Sequence, residues 1–328
     1  MKLLQGRAVW VAAAILLGVV AMILLAIEPV NEGPAGGLNT AYYPEPVAKS
    51  GYTLTKDRIG DRGIWAYVLS ADPPPAQRRP AVILIHGGGM PDVIATAKPQ
   101  YKGEWFIPLF DYIPYRLAQS GMLVVAIDAW WAGDRYEPAR AELAQRDPIA
   151  ALIHGYAETA RDVSQVIDHL AGREDVDPAN IGVAGKSGGG IISLMAACRD
   201  DRLEAVVAWK AGPDFVKLTH LRGDGVLMNK ALSENPGLRE EIQQEDPIYS
   251  YQNIPPKALA LIGNFDDPSM PRQVVQELYE KLRPLYAANP ERLMIKLFET
   301  PRPTHDLQRA AFELGCDWLE KSLGARRP

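Results

Sequence analysis

Short apolar stretches rich in β-branched residues alternate along this chain with stretches in which apolar residues recur every three or four positions. The first pattern is typical of buried strands and the second of amphipathic helices. Strands are predicted at residues 52–59, 64–69, 81–85, 122–127, 181–185, 205–209, 258–262 and 293–298. Helices are predicted at residues 107–119, 156–171, 188–199, 271–285 and 306–323. The alternation predicts βαβ units and therefore an α/β fold with a mostly parallel eight-stranded sheet.

The strand predicted at residues 81–85 is apolar at every position, which indicates that helices cover both faces of the sheet. Ligands of such sheets bind at the carboxyl ends of the strands. Residues 211–256 interrupt the alternation, because they are polar and irregular apart from one predicted helix at 238–244. Since loops of this length are usually functional, we interpret the segment as a lid over the site, with a solvated insertion as the alternative.

The beginning of the chain has a different pattern. Two basic residues precede an uninterrupted apolar run over residues 8–27, which is long enough for a helix to cross a bilayer. Residues 1–27 are therefore predicted to be a signal anchor that holds the protein in a membrane, 28–50 a linker and 51–328 the folded body. Positive charge before the run places that body outside the cytoplasm, in the periplasm or the extracellular space. A cleaved signal peptide, which would make the protein secreted, is the alternative.

Composition excludes some classes of partner. The formal net charge of -5 disfavours nucleic acid, which proteins hold mainly through Lys and Arg. Cys198 and Cys316 lie outside any CxxC or Cys/His cluster, so neither a metal site nor a cofactor is predicted. Both cysteines are interpreted as small buried residues on helices, with a disulfide between them as the alternative.

The candidate nucleophile is Ser187, in the sequence Gly185-Lys186-Ser187-Gly188-Gly189. This G-x-S-x-G follows a predicted strand and begins a predicted helix, which is the context in which the motif exposes a serine hydroxyl on a sharp turn. The N–H of Gly188, at the start of the helix, is a candidate oxyanion donor. A phosphate-binding loop is disfavoured, because the complete G-x-x-x-x-G-K-[ST] element is absent from the sequence.

A second glycine-rich turn, His86-Gly87-Gly88-Gly89, follows the strand predicted at residues 81–85. Successive glycines let the backbone approach a substrate carbonyl, so Gly87 or Gly88 is predicted to supply the second oxyanion donor. His86 is interpreted as structural, because it precedes the nucleophile and ends a strand.

The base and its orienting acid are expected after the serine, in the order Ser, Asp, His. His305 follows the last predicted strand and directly precedes a predicted helix, so it is favoured over His220, which lies in the predicted lid. Asp266 and Asp267 both follow the strand predicted at residues 258–262, and the sequence leaves open which of them is the acid.

The succession of these motifs resembles the α/β-hydrolase superfamily, and most of all its dienelactone hydrolase, acetyl xylan esterase and prolyl-oligopeptidase-like branch. The motifs are HGGG at 86–89, DPANIGVAGKSGG at 177–189, GNFDDPSMP at 263–271 and TH at 304–305. The resemblance covers about residues 52–323 and implies a serine hydrolase that needs no cofactor. A dienelactone hydrolase proper has a cysteine as nucleophile, whereas this chain has Ser187.

The sequence therefore predicts an enzyme that cleaves a small-molecule carboxylic ester through an acyl-enzyme. Ser187 attacks, His305 transfers the proton, and Asp266 or Asp267 orients His305. A serine peptidase of the prolyl-oligopeptidase type, a thioesterase and a lactonase use the same groups and stay open. A non-catalytic binding protein on the same fold is the alternative of another class.

Overall fold

The computed structural model describes residues 51–72, 77–87, 112–132, 135–305 and 308–324. The predicted anchor and linker, Gly88 and parts of two predicted helices (107–111 and 306–307) lie outside these ranges. Membrane anchoring and a location outside the cytoplasm therefore stay predictions. Within the described ranges, no helix is both long enough and apolar enough to cross a membrane.

A sheet of eight strands forms the centre of the described residues, in the order β1-β2-β4-β3-β5-β6-β7-β8. The strands are β1 (Tyr52–Ile59), β2 (Ile64–Ala71), β3 (Arg79–Ile85), β4 (Leu123–Ile127), β5 (Val176–Lys186), β6 (Leu203–Trp209), β7 (Ala258–Asn264) and β8 (Leu293–Phe298). β2 pairs antiparallel with β1 and β4, and all other pairs are parallel. The predicted mostly parallel, eight-stranded α/β fold is confirmed.

Helices cover both faces of the sheet, as the apolar strands predict. Along β3, Ile83 and Ile85 belong to one buried cluster and Val82 and Leu84 to another, because successive side chains of a strand point to opposite faces. The α-helices are α1 (Tyr112–Ala118), α2 (Tyr136–Leu143), α3 (Pro148–Ala171), α4 (Gly188–Arg199), α5 (Phe215–Leu221), α6 (Gly225–Glu234), α7 (Leu238–Glu245), α8 (Arg272–Leu282) and α9 (Arg309–Ser322). α3, α4 and α8 pack on the first face, and α1 and α9 on the second.

Helix α3 begins eight residues before the predicted start at residue 156. The Asp147 side chain accepts a hydrogen bond from the N–H of Ile149 at 2.8 Å and caps the helix, and Pro148 occupies its first turn. Both are strong signals for a helix start that the apolar periodicity alone does not include. The correction matters for function, because the two added turns reach the pocket described below.

The expectation that residues 211–256 are largely irregular is wrong. They contain α5, α6, α7 and two short 3-10 helices, Pro247–Tyr249 and Tyr251–Asn253. The helix predicted at 238–244 is present as α7, whereas α5 and α6 were not predicted. Leu218 of α5 and Met228 of α6 are buried, so tertiary packing stabilises these two short helices. That the segment acts as a lid stays a prediction.

Both cysteines are buried and free, Cys198 on α4 and Cys316 on α9. The interpretation as small core residues agrees with this placement, and no disulfide joins them. Burial raises the pKa of the Cys198 thiol to about 11, so it is protonated at neutral pH and unreactive.

The glycines around Ser187 allow β5 and α4 to pack closely against β3. A Cβ added at Gly185 would lie 2.3 Å from the carbonyl of Gly189. A Cβ at Gly189 would lie 2.2 Å from the carbonyl oxygen of Ile85 and 2.5 Å from that of His86. Any side chain at either position would separate the strand, the turn and the helix, which explains the small residues of the motif in physical terms.

We expect Gly189→Ala to lower the free energy of unfolding by about 2 to 4 kcal/mol, since the added methyl meets two backbone carbonyls that cannot move independently. Gly172→Ala is the matched control, because its Cβ would meet nothing closer than 3.6 Å. That control should change stability by less than about 1 kcal/mol. Urea unfolding of both variants measures the difference, and equal stabilities would contradict the close approach.

Candidate active site

Ser187 lies on a strained turn between β5 and α4. Its backbone has φ 55° and ψ -121°, a region that residues with a side chain rarely adopt. The N–H of Ser187 donates to the carbonyl of Trp209 at the end of β6 (2.8 Å), and its carbonyl accepts from the N–H of Ile191 in α4 (3.0 Å). The turn is thus held from both sides, and the side chain makes no capping hydrogen bond with the helix.

The first glycine after β3 lies directly against Ser187. A Cβ added at Gly87 would be 2.9 Å from the carbonyl oxygen of Lys186 and 3.5 Å from the Cβ of Ser187. Gly188, the other predicted oxyanion donor, lines a pocket together with Ser187. Gly88 lies outside the described residues. The structure therefore places Gly87 and Gly188 beside the serine, and their role as donors stays a prediction.

His305 contacts Asp267. Its Nδ1 lies 2.9 Å from both carboxylate oxygens of Asp267, which follows β7, whereas His305 follows β8. Nε2 of His305 is buried and has no hydrogen-bond partner within the described part of the chain. A general base of the triad type would accept the proton of the serine at this nitrogen, Nε2.

Asp266 is directed away from His305. Its side chain is 58% exposed and forms an ion pair with Arg272 at 3.4 Å, whereas the side chain of Asp267 is 1% exposed. Neighbouring residues of one turn thus have different environments. Of the two residues between which the sequence leaves the choice open, only Asp267 is in contact with the imidazole ring.

The Asp267 carboxylate is held in the ionised form. Oδ1 accepts hydrogen bonds from the backbone N–H groups of Ser269 (2.9 Å) and Met270 (3.0 Å). Burial works to raise the pKa of Asp267, but the hydrogen bonds and charges of His305 and Lys210 outweigh it, so the pKa lies below its ordinary value. The Asp267 carboxylate is therefore negatively charged throughout the neutral pH range.

Lys210 is a residue of this site that the sequence interpretation missed. Its Nζ lies 3.0 Å from Oδ2 of Asp267, and its side chain is wholly buried. The signal available in the sequence is a lysine placed directly after an apolar strand, at the edge of the sheet where ligands bind. Such a position is easily taken for an exposed strand end.

The other histidines near the sheet have structural contacts. His86 is buried, donates from Nδ1 to the carbonyl of Gly87 at 2.8 Å, and accepts from the N–H of Ala129 at Nε2 (3.0 Å). Burial lowers its pKa, which favours the neutral ring. His220 is exposed on α5, where Nδ1 donates to the carbonyl of Val216 at 2.7 Å.

The described residues contain no cluster of three or more His, Cys, Asp or Glu side chains that could hold a metal ion.

A mostly apolar pocket opens beside Ser187 and encloses about 70 Å³. Its walls come from the first two turns of α3 and from α5 and α6 of the segment 211–256. The apolar residues contributed by these helices are Ile149, Leu152, Ile153, Phe215, Leu218 and Met228. Arg222 and Tyr156 also line it, so the pocket has polar groups among its apolar walls.

The sheet and the strained serine at its carboxyl edge define the class of protein: this is a serine hydrolase of the α/β-hydrolase superfamily. Comparison with protein families then identifies the family. Residues 155–324 match the model of the Prolyl oligopeptidase family, and the chain belongs to that family.

Individual relatives include both esterases and peptidases. The chain is 23% identical over 249 residues to "Putative esterase YitV" of Bacillus subtilis (strain 168), a match that covers 74% of this chain and 89% of the relative. Acetyl xylan esterase 1 from Thermoanaerobacterium sp. JW/SL YS485 has the same fold, with a TM-score of 0.58 and 17% identity over 88% of this chain and 86% of that one. The acylaminoacyl peptidase of Pyrococcus horikoshii has a TM-score of 0.62 and 16% identity over 85% of this chain. The chain spans only 43% of the length of that peptidase.

Proposed function

We propose that this protein cleaves a small-molecule carboxylic ester through a Ser187-His305-Asp267 triad. The observation that carries the proposal is the contact of His305 Nδ1 with the buried carboxylate of Asp267, at 2.9 Å, which leaves Nε2 buried and without a hydrogen-bond partner within the described part of the chain. Ser187, Asp267 and His305 follow the carboxyl ends of β5, β7 and β8, all at one edge of the sheet.

In the proposed mechanism the Oγ of Ser187 attacks the ester carbonyl carbon while Nε2 of His305 takes the hydroxyl proton. The negative Asp267 stabilises the imidazolium that forms and keeps the hydrogen of the neutral ring on Nδ1. Collapse of the tetrahedral intermediate expels the alcohol, which receives the proton from Nε2, and leaves an acyl-enzyme. A water molecule, activated by the same nitrogen, then releases the acid and regenerates Ser187.

The oxyanion of the intermediate is assigned to backbone N–H groups beside Ser187. Gly87 supports this assignment, because its α-carbon approaches Ser187 more closely than any residue with a side chain could. Gly188 begins helix α4, so its N–H is among those without a partner inside the helix. Gly88 is retained as the alternative to Gly87.

Two observations favour an ester over a peptide. The pocket beside Ser187 is small and mostly apolar, which suits a short acyl group. The chain also matches the relative named as an esterase over 89% of that relative's length. A peptidase, a thioesterase and a lactonase remain outcomes of the test, because all of them use the same triad chemistry.

The test is a substrate panel with the full chain. It comprises p-nitrophenyl esters from acetate to octanoate, a butyryl thioester, γ-butyrolactone, and p-nitroanilides of single amino acids and short peptides. Faster turnover of the thioester or of the lactone than of any ester would make the protein a thioesterase or a lactonase. We expect kcat/KM to be highest for the short acyl esters and at least about 100-fold lower for the anilides, because the small apolar pocket accommodates an acyl chain but offers few groups to hydrogen-bond a peptide.

Labelling by a fluorophosphonate separates the remaining outcomes. A labelled Ser187 together with faster cleavage of the anilides would make the protein a peptidase. Neither turnover nor labelling, in protein shown to be folded by circular dichroism, would make it a non-catalytic binding protein and overturn the proposal.

A further inference from the structure

A lysine is buried behind the proposed triad. Lys210 directly follows β6 and adopts φ 49°, and its N–H donates to the carbonyl of Ile262 in β7 at 2.6 Å. Its side chain has no exposed surface. The Nζ lies 3.0 Å from Oδ2 of Asp267 and donates to the carbonyl of Thr304 at 2.7 Å. The ammonium therefore links the acid of the triad to the residue immediately before its base.

This arrangement is costly for the fold. The backbone of a residue other than glycine is strained at positive φ, and an ammonium loses its hydration when it is buried. A hydrophobic residue at the same place would avoid the loss of hydration. Strain and a buried charge together, at the carboxyl edge of the sheet, are features that more often accompany a functional site than the interior of a scaffold.

The charge of Lys210 acts on the same oxygen that His305 contacts. Nδ1 of His305 and Nζ of Lys210 both touch Oδ2 of Asp267, so the two nitrogens lie within about 6 Å of each other. Lys210 and His305 therefore share one carboxylate, and Lys210 helps to fix the position of the oxygen that orients the ring.

The same ammonium also holds the loop that carries the base. Thr304 precedes His305, and its carbonyl accepts from Lys210 (2.7 Å) and from the side-chain amide of Asn264 (3.1 Å). Two donors, from the ends of β6 and β7, thus restrain the backbone next to His305. A base restrained in this way keeps its ring oriented between Asp267 and the serine, as proton transfer requires.

We propose that Lys210 is a positioning residue of the active site, which holds the backbone next to His305 through the carbonyl of Thr304 and fixes the carboxylate of Asp267 that orients the ring. The inference rests on the triad of the proposed function.

The experiment compares three variants with the wild-type chain. Lys210→Met removes the charge and the donor, and Lys210→Gln removes the charge but keeps an amide donor. Lys257→Met is the matched control: Lys257 is also buried, is paired with Asp201 at 3.1 Å, and lies at the opposite end of β7. Two rates are measured on each variant: hydrolysis of p-nitrophenyl butyrate, with kcat and KM determined separately, and labelling of Ser187 by a fluorophosphonate.

Lys210→Met should lose roughly ten-fold in kcat with KM within about two-fold of wild type, and labelling of Ser187 should slow by a similar factor, because the base is misplaced while substrate binding is kept. Lys210→Gln should lose less, because it keeps a donor to the carbonyl of Thr304. Lys257→Met should reduce stability and leave kcat and KM within about two-fold of wild type.

Folded Lys210 variants with the kcat of the wild type would overturn the proposal and leave the proposed function intact. If neither variant folds, Asn264→Ala decides, because it removes the second donor to the carbonyl of Thr304: a lower kcat at unchanged KM supports the restrained loop, and wild-type kinetics overturn it. If the wild-type chain is not labelled at Ser187, or Ser187→Ala keeps its turnover, the proposed function fails and the role of Lys210 fails with it.

Discussion

Ser187→Ala is expected to lower kcat for ester hydrolysis by a factor on the order of 10⁵ to 10⁶. The acyl-enzyme route is lost with the hydroxyl, so only the oxyanion donors and substrate binding remain to accelerate attack by water. The fold should survive, because the Ser187 side chain makes no capping hydrogen bond with α4. Steady-state hydrolysis of p-nitrophenyl butyrate measures the loss, and thermal unfolding checks the fold.

Ser193→Ala is the matched control for this prediction. Ser193 lies in α4, the helix that directly follows Ser187, and is buried. Its hydroxyl donates to the carbonyl of Gly189 at 2.8 Å and does not line the pocket. We expect its activity to stay within about three-fold of wild type. A Ser187→Ala variant that keeps more than a tenth of the wild-type rate would exclude Ser187 as the nucleophile.

Asp267→Asn and Asp266→Asn should differ by several orders of magnitude, although the two residues are adjacent. Asp267→Asn replaces the carboxylate that contacts Nδ1 of His305 with an amide, which no longer stabilises the imidazolium and can select the wrong tautomer. We expect kcat to fall by a factor on the order of 10⁴. Asp266→Asn removes only an exposed ion pair with Arg272 and should stay within about three-fold of wild type.

The same assay measures both asparagine variants, with thermal unfolding as the check on folding. Asp267→Asn is also expected to lower the melting temperature, since Lys210 loses the carboxylate that pairs with it in the interior. Similar losses of activity from the two substitutions, or a larger loss from Asp266→Asn, would contradict the assignment of Asp267 as the acid.

Elements with strong local signals were predicted with accurate bounds. β1 (Tyr52–Ile59), β8 (Leu293–Phe298) and α4 (Gly188–Arg199) have the predicted ends. β1 lies between Gly51 and Gly60, and α4 begins directly after the serine of the G-x-S-x-G motif, so local turn residues mark these ends. The order of the strands in the sheet did not follow from any pattern, because pairing depends on contacts between residues far apart in the chain.

The segment 211–256 shows why local patterns can fail. The N-terminus of α5 is held by Asp246, whose carboxylate accepts from the N–H groups of Asp214 (2.8 Å) and Phe215 (2.6 Å). Asp214 also caps α5 locally by accepting from the N–H of Lys217 at 2.9 Å, but Asp246 lies about 30 positions further along the chain. No window of the sequence around α5 contains Asp246, and α5 was taken for irregular structure.

By itself, the sequence determined the class of chemistry. A serine in a glycine-rich turn between strand and helix, a second glycine turn before it, and a histidine after the last strand are local features, and local sterics demand small residues around such a turn. These features indicate a serine hydrolase before any contact is known, and membership of the family agrees with them.

Only the tertiary structure decided which side chains meet. Asp266 and Asp267 are equivalent in the sequence, and the direction that each takes from one turn places Asp267 in the interior and Asp266 in solvent. Lys210 reaches the site only because β6 and β7 are neighbours in the sheet. The physical reason is the same in both cases: the chemistry of a residue is a local property, but its distance from a partner dozens of positions away is set by the packing of the whole sheet.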